Sequence, residues 1–203
     1  FHVNMENYVS ADWEIRSPKT PDGNFLTKIN AWFNSNALTG ADFKNNFQTN
    51  HNLKNAIDYF LLVEFLMAND AFDKNFILTS WDGIKFNFLP YDLDTTFGLR
   101  YDGIAFEDAA QTIRIVPFWQ KFYQAYTVEI KQRYAELKAK NILTSDNVYK
   151  HFSELTKVFG RNKFKQEFTK WWAMPSNSII YTSLPQVMQW VNDRIIWLNS
   201  EYV

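Results

Sequence analysis

No cysteine occurs in the 203 residues, which excludes a disulfide framework and any thiolate metal site. That absence suits cytosol, cell surface and virion equally, so it leaves the compartment open. Charge of one sign is also missing. Lys and Arg number 21 against 22 Asp and Glu, for a formal net charge of -1. No basic field for nucleic acid and no polybasic face for a membrane surface is expected from that balance. Long apolar runs are absent too. The longest is Tyr59 to Val63, resuming after Glu64 with Phe65 to Ala68, well short of the roughly 18 to 20 residues a membrane span needs. The opening "FHVNMENYVS" has neither an initiator methionine nor a basic n-region, so no signal peptide is expected. A start at Phe1 reads as a piece of a longer protein. No internal repeat or low-complexity tract is visible.

What is present is apolar and aromatic: 46% hydrophobic residues and 18% Phe, Trp and Tyr. A sizeable core is expected, in one domain or one domain plus an appendage. Residues 1 to about 30 read as a loop-rich opening, with Pro18, Pro21 and an Asp22-Gly23 turn signal. A helical pattern from Phe25 to Phe47 is interrupted by Gly40, and Thr39 or Asp42 is a candidate cap. "HNLKNAIDYFLLVEFLMAND" is the clearest helix of the first half. Its apolar residues cover nearly the whole circumference, with Glu64 a lone charge, so it should be buried. The expected stop is Asn69-Asp70, whose side chains compete for backbone hydrogen bonds.

Two β-rich runs follow, Phe76 to Trp81 and Ile84 to Leu89, separated by Asp82-Gly83. Asp-Gly between such runs predicts a two-residue type I′ hairpin turn. Counting outward pairs Trp81 with Ile84, Thr79 with Phe86 and Asn75 with Pro90, and Pro90 ends the hairpin. Past residue 98 a polar loop, with an Asp102-Gly103 turn, precedes four candidate helices: Phe118 to Lys140, Ser145 to Phe159, Arg161 to Trp172 and Pro185 to Tyr202. Ser145 is a candidate cap of the second, and Pro185 suits the first turn of the last. Trp119, Trp171, Trp172, Trp190 and Trp197 invite a carbohydrate-binding reading, but in helical patterns core packing is the commoner explanation. His2, His51 and His151 show no ligand spacing.

The stretch from Met67 to Gly98 carries five aspartates between strongly apolar segments. The hairpin gives them a geometric consequence. Its ends should lie opposite one another, roughly 5 Å apart. The loop entering it holds Asp70, Asp73 and Asn75, and the loop leaving it holds Asp92 and Asp94, so both meet at the hairpin mouth. Carboxylates plus an Asn carbonyl, without His or Cys, make an oxygen-only site for a hard cation, with Mg²⁺, Mn²⁺ and Ca²⁺ the candidates. Asp70-x₄-Asn75 also has the spacing of a kinase catalytic loop, where Asp receives the hydroxyl proton and Asn holds a metal; a second Asp past a hairpin holds the metals on the ATP phosphates. Each element alone has a bland reading: Asp70 as helix terminator, Asn75 as strand-entry turn residue, Asp92 and Asp94 as Asx-turn residues, Asp73 and Asp82 as structural, Arg100 as a solvated side chain. The order of buried helix, D-x₄-N, Asp-Gly hairpin and acidic loop ending in Phe-Gly is more specific than any part.

The stretch "AIDYFLLVEFLMANDAFDKNFILTSWDGIKFNFLPYDLDTTFG" resembles the CotH kinase family, named for a bacterial spore-coat protein. That family carries an N-x-D-x₄-N-x-x-L/Y loop followed by P-W-D-x-D-x-T-F/W-G. Here Asn69-Asp70 lacks the intervening residue, Asp70-x₄-Asn75 is kept, and Pro90 to Gly98 follows the second pattern with Tyr91 in place of Trp. The match is firm over about residues 55 to 100 and looser in "FWQKFYQAYTVEIKQRY" and "VMQWVNDRIIWLNSEY".

The resemblance implies an α+β fold, mostly helical: an atypical protein-kinase-like C-lobe with a central β-hairpin. Residues 1–54 would be a loop-rich opening segment and remnant of an upstream lobe, and 55–203 a catalytic-lobe domain with a helical tail. By motif match Asp70 would be the catalytic aspartate, Asn75 a metal ligand, Asp92 the principal metal aspartate and Asp94 an accessory one. ATP with Mg²⁺ or Mn²⁺ would be the cofactor, and Ser/Thr hydroxyls of a protein the acceptor. The family's nucleotide-gripping lysine lies in an N-terminal sheet lobe, and the first 54 residues do not read as one. The alternative from another class is therefore a non-catalytic structural or attachment module of a spore coat, surface protein or phage tail, and a third is a Ca²⁺-stabilised loop. Spore coat, bacterial surface or virion are favoured over cytoplasm by resemblance only.

Overall fold

The computed structural model describes residues 2–3, 13–14, 17, 39–72, 75–99, 107–112, 114, 116–171 and 184–203. Asp73, Arg100, Trp172 and the Asp22-Gly23 and Asp102-Gly103 turns lie outside these. The elements are β1 (His2–Val3), β2 (Trp13–Glu14), α1 (Gly40–Asn50), α2 (Leu53–Leu66), a 3₁₀ turn (Asn69–Phe72), β3 (Phe76–Ser80), β4 (Phe86–Pro90), α3 (Pro117–Ala139), α4 (Ser145–Lys170) and α5 (Leu184–Tyr202). The class is α+β and mostly helical, as expected. Among the described residues, no helix is long and apolar enough to cross a membrane. The chain forms two compact units. The first comprises residues 1–64, 68–93 and 112–133, and the second 65–67, 94–111 and 134–203.

The first unit packs its sheet and helices around an aromatic core. Phe43 and Phe47, one turn apart on α1, are buried and meet Phe118 and Phe122 of α3 at ring separations of 5.8 and 4.9 Å. α2 is buried on almost every side, which its apolar circumference requires: Ala56, Phe60 and Val63 are wholly inaccessible. Each fully buried Phe contributes about 1.5–3 kcal/mol relative to exposure. Glu64 is buried with them, paired with Arg114 at 3.1 Å and accepting a hydrogen bond from the Thr112 hydroxyl.

α2 ends earlier than its sequence suggests. The helix stops at Leu66, Met67 takes a φ of 52°, and the Ala68 amide donates to the Val63 carbonyl at 3.1 Å. That backbone bond across a left-handed residue closes the helix end without a glycine. The polar pair Asn69-Asp70 begins the next 3₁₀ turn instead.

The hairpin forms, with a register one residue from the predicted one. Phe76 pairs with Pro90, Leu78 with Phe88 and Ser80 with Phe86, so the loop is five residues, 81–85. Two physical causes agree. The Asp82 carboxylate accepts from the amides of Ile84 (2.8 Å) and Lys85 (3.0 Å) and from the Ser80 hydroxyl. The Lys85 amide first, then Ile84, holds that carboxyl below the usual carboxylate range. This side-chain turn stabilises a wider loop than Asp-Gly alone requires. The slip also puts Phe76 and Leu78 inward with Phe86 and Phe88, all four buried; the predicted pairing would have put Ile77 and Thr79 there. Burial of the larger apolar pair decides the register. Pro90 ends β4 as expected.

The sheet is wider than the hairpin that the sequence showed. β1 pairs antiparallel with β3 and β2 with β1, giving the order β2-β1-β3-β4. On the outer edge of β4 the Asn55 side chain acts as a short strand. Its amide donates to the Phe88 carbonyl (3.1 Å) and its oxygen accepts from the Phe88 amide (2.7 Å). The edge is thereby closed to pairing with another chain.

His51 sits between Phe47 and Phe88, with ring separations of 4.7 and 5.3 Å. Burial drives its pKa down to about 3, against a hydrogen bond to the Phe86 backbone carbonyl that raises it. The imidazole is neutral in the folded state and protonates near 6.5 when unfolded. Unfolding therefore takes up a proton below pH 6.5, and stability falls as pH drops from 6.5 toward 3. The expected loss is about 2 kcal/mol between pH 7 and pH 5. His51→Phe should remove most of that slope in urea unfolding followed across the same window.

In the second unit, α5 packs against Phe97 and bonds to residues 107–111. Phe97 meets the rings of Phe152 and Trp190 edge-on at 5.5 and 6.4 Å. The Trp190 indole donates to the Glu107 carbonyl at 2.9 Å, and the Glu107 amide to the Gly98 carbonyl at 2.8 Å. Arg194 is fully buried, donating to the carbonyls of Ala109 and Gln111 and stacked on Trp197. α4 is interrupted at Gly160, whose φ of 69° and ψ of 156° separate the two helical stretches read from sequence. Its cap is Thr144 rather than Ser145: the Thr144 hydroxyl accepts from the Asn147 amide at 3.3 Å. Pro185 stands in the first turn of α5.

Candidate functional site

The loops at the hairpin mouth are built from short-range backbone constraints. On the entering side, the 3₁₀ turn follows the left-handed Met67 and carries Asp70, with Ala71 and Phe72 buried beneath it. On the leaving side, Pro90 ends the strand and Asp92 takes a φ of 54°, a conformation that Asp tolerates better than most residues. Asn75 joins the two. Its amide donates to the Asp70 carbonyl at 2.9 Å, its carbonyl accepts from the Tyr91 amide at 3.3 Å, and its side-chain amide donates to the Asp92 carbonyl at 3.3 Å. Asp70 and Asp92, 22 positions apart in sequence, are therefore each one hydrogen bond from the same residue.

The three differ in environment. Asn75 is buried, Asp70 half-buried and Asp92 exposed. Because the Asn75 nitrogen is committed to Asp92, its amide oxygen is the atom left to serve as a donor to a cation. Asp94 is exposed and belongs to the second unit. Among the described residues, no group of three or more His, Cys, Asp or Glu side chains gathers as a metal site. What the first unit shows is Asn75 linked to the backbone carbonyls of both Asp70 and Asp92.

The family model for CotH kinase protein matches residues 4–198, nearly the whole chain. The chain belongs to the CotH kinase family. No curated protein and no solved structure matches it. For a CotH-family chain, the match reaches well beyond residues 55 to 100, where the motifs are firm, and takes in the β2 strand of the sheet as well as the helical tail.

Two residues that hold the turn carrying Asp70 in this CotH-family chain were not singled out for that role from the sequence. The Tyr59 hydroxyl, from α2, donates to the Ala71 carbonyl, and the Trp119 indole, from α3, donates to the Phe72 carbonyl at 3.0 Å. Both side chains are buried, and burial pushes the Tyr59 phenol well above its ordinary pKa, so it remains a donor. The signal was present but generic. A Tyr in a helix apolar all round must find a partner for its hydroxyl, yet nothing local says which.

Proposed function

We propose that residues 55–203 act as the catalytic lobe of a phosphotransferase that moves the terminal phosphoryl group of ATP to Ser or Thr hydroxyls of a protein. The observation that carries this reading is the Asn75 bridge between Asp70 and Asp92 at the hairpin mouth, in a chain of the CotH kinase family. Asp70 accepts the proton of the attacking hydroxyl. A new oxygen–phosphorus bond forms as the bond to the β-phosphate bridging oxygen breaks, and ADP leaves.

The donor set fits a hard divalent cation. Its atoms are all oxygens, contributed by Asp92 and by Asn75, whose amide orientation is fixed by its bond to Asp92. Asp94, which the family motif would add as an accessory ligand, belongs to the second unit and is not counted in this set. Such a sparse set suits Mg²⁺ or Mn²⁺, which keeps several waters and relies on substrate phosphates; Ca²⁺ takes six to eight oxygens. When bound, the cation supplies charge neutralisation on the phosphates. A place in a coat or tail assembly is part of the same proposal, resting on family resemblance alone.

The test is Mn²⁺ binding to the full-length protein, followed by its electron paramagnetic resonance signal. Tight binding is expected only with ATP present, weakened at least tenfold by Asp92→Ala. Binding of Ca²⁺ without nucleotide, unaltered by ATP, would replace this reading with a cation-stabilised loop. Absence of any ATP-dependent binding would favour the structural or attachment module.

A further inference from the structure

We propose that Tyr59 and Trp119 are positioning residues for Asp70, holding the two peptide carbonyls that follow it and so fixing the loop from which it acts. The inference rests on the proposed role of Asp70 as acceptor of the hydroxyl proton. The 3₁₀ turn Asn69–Phe72 is short, and such turns have poorer internal hydrogen bonds than an α-helix. Its position is set from outside. Tyr59 reaches the Ala71 carbonyl from α2, and Trp119 reaches the Phe72 carbonyl from α3. Consecutive peptide units are thus tethered to two different helices, one and two residues after Asp70.

Neither donor is needed for packing alone. The Tyr59 ring already stacks on Phe88 at 5.5 Å, and the Trp119 ring lies 5.0 Å from that of Phe72. At Tyr59 a phenylalanine would make the same ring contacts, whereas at Trp119 it would also leave a cavity. The hydroxyl and the indole N–H add partners for two buried carbonyls, and with them a fixed distance from the helices to the loop. The other side of the loop is fixed by the bond from the Asn75 amide to the Asp70 carbonyl. Asp70 is therefore held at its own carbonyl and at the two carbonyls that follow it, which restrains the loop from which a proton acceptor must be placed to within a fraction of an ångström.

A displacement of about 1 Å in such a group costs on the order of a hundredfold in rate. Tyr59→Phe removes only the hydroxyl. In the full-length protein it should lower kcat about ten- to a hundredfold, with KM for ATP within about twofold. Amide hydrogen exchange should rise at residues 69–72 and stay unchanged in β3 and β4. Trp119→Phe should behave alike; if it fails to fold, Tyr59→Phe alone decides. A Tyr59→Phe protein with lowered melting temperature and wild-type kcat, assayed well below that temperature, would overturn the positioning role while leaving the phosphotransferase reading intact. A wild-type protein that transfers no phosphate would remove the role of Asp70, and this inference with it.

Discussion

Glu64→Ala is expected to destabilise the first unit by about 3–5 kcal/mol, among the largest effects of any single substitution in the chain. Glu64 is wholly inaccessible on α2, and its carboxylate meets the Arg114 guanidinium at 3.1 Å and the Thr112 hydroxyl at 3.1 Å. Arg114 is itself only 10% exposed and stacks on the Tyr123 ring at 3.8 Å. Removing the carboxylate leaves a guanidinium in surroundings where hydration cannot replace it, and that penalty dominates the loss. Replacing both partners with apolar residues removes the problem along with the bond. The double variant Glu64→Leu/Arg114→Met should therefore be more stable than Glu64→Ala by at least 2 kcal/mol in urea unfolding. Additive losses from the two positions would mean that the pair is not the source of the effect.

Gly98→Ala should cost about 3 kcal/mol or more, from three terms acting together. The residue has a φ of 80°, where a Cβ is strained. An ideal Cβ there would lie 2.3 Å from the Trp190 Nε1 atom and 2.6 Å from Cε2. The ring has no easy retreat, because its N–H is bonded to the Glu107 carbonyl and it packs edge-on against Phe97. Overpacking costs about 1–3 kcal/mol, a lost hydrogen bond about 1, and the left-handed backbone about 1. Shrinking the ring by Trp190→Leu in the Gly98→Ala background should recover the overpacking share, which thermal unfolding of the four variants can read as a coupling energy. If the double variant is no better than the sum of its parts, the close approach is not what requires glycine.

These two positions show how much of the fold was legible in the sequence. Glu64 stood out as a lone charge in an apolar helix, and burial followed; that Arg114 would be its partner did not, because the pairing spans 50 positions and no local periodicity records it. Gly98 was read as the end of a motif, while its physical reason is a ring supplied by α5. The hairpin was legible from its two β-rich runs and its turn signal. Its register was not, because the Asp82 side chain and the burial of Phe76 and Leu78 together outweigh the two-residue turn preference. Strands of only two residues, β1 and β2, carry no pattern to detect.

The candidate site divides the same way. Spacing and order alone placed Asp70, Asn75 and Asp92 at one mouth, and the first unit links them through Asn75. The hinge of that arrangement, the Asn75 side-chain amide, needed coordinates to be seen. So did the supports behind Asp70, since Tyr59 and Trp119 look like ordinary core residues until the carbonyls that they meet are known.

Transfer of the labelled terminal phosphate of ATP to protein Ser or Thr, by the full-length protein in Mg²⁺ and in Mn²⁺, tests the central claim most directly. The account predicts transfer by the wild type and a loss of at least a hundredfold in both Asp70→Ala and Asp92→Ala, with melting temperatures preserved. Transfer that survives both substitutions, or no transfer with either metal and a panel of protein acceptors, would contradict it.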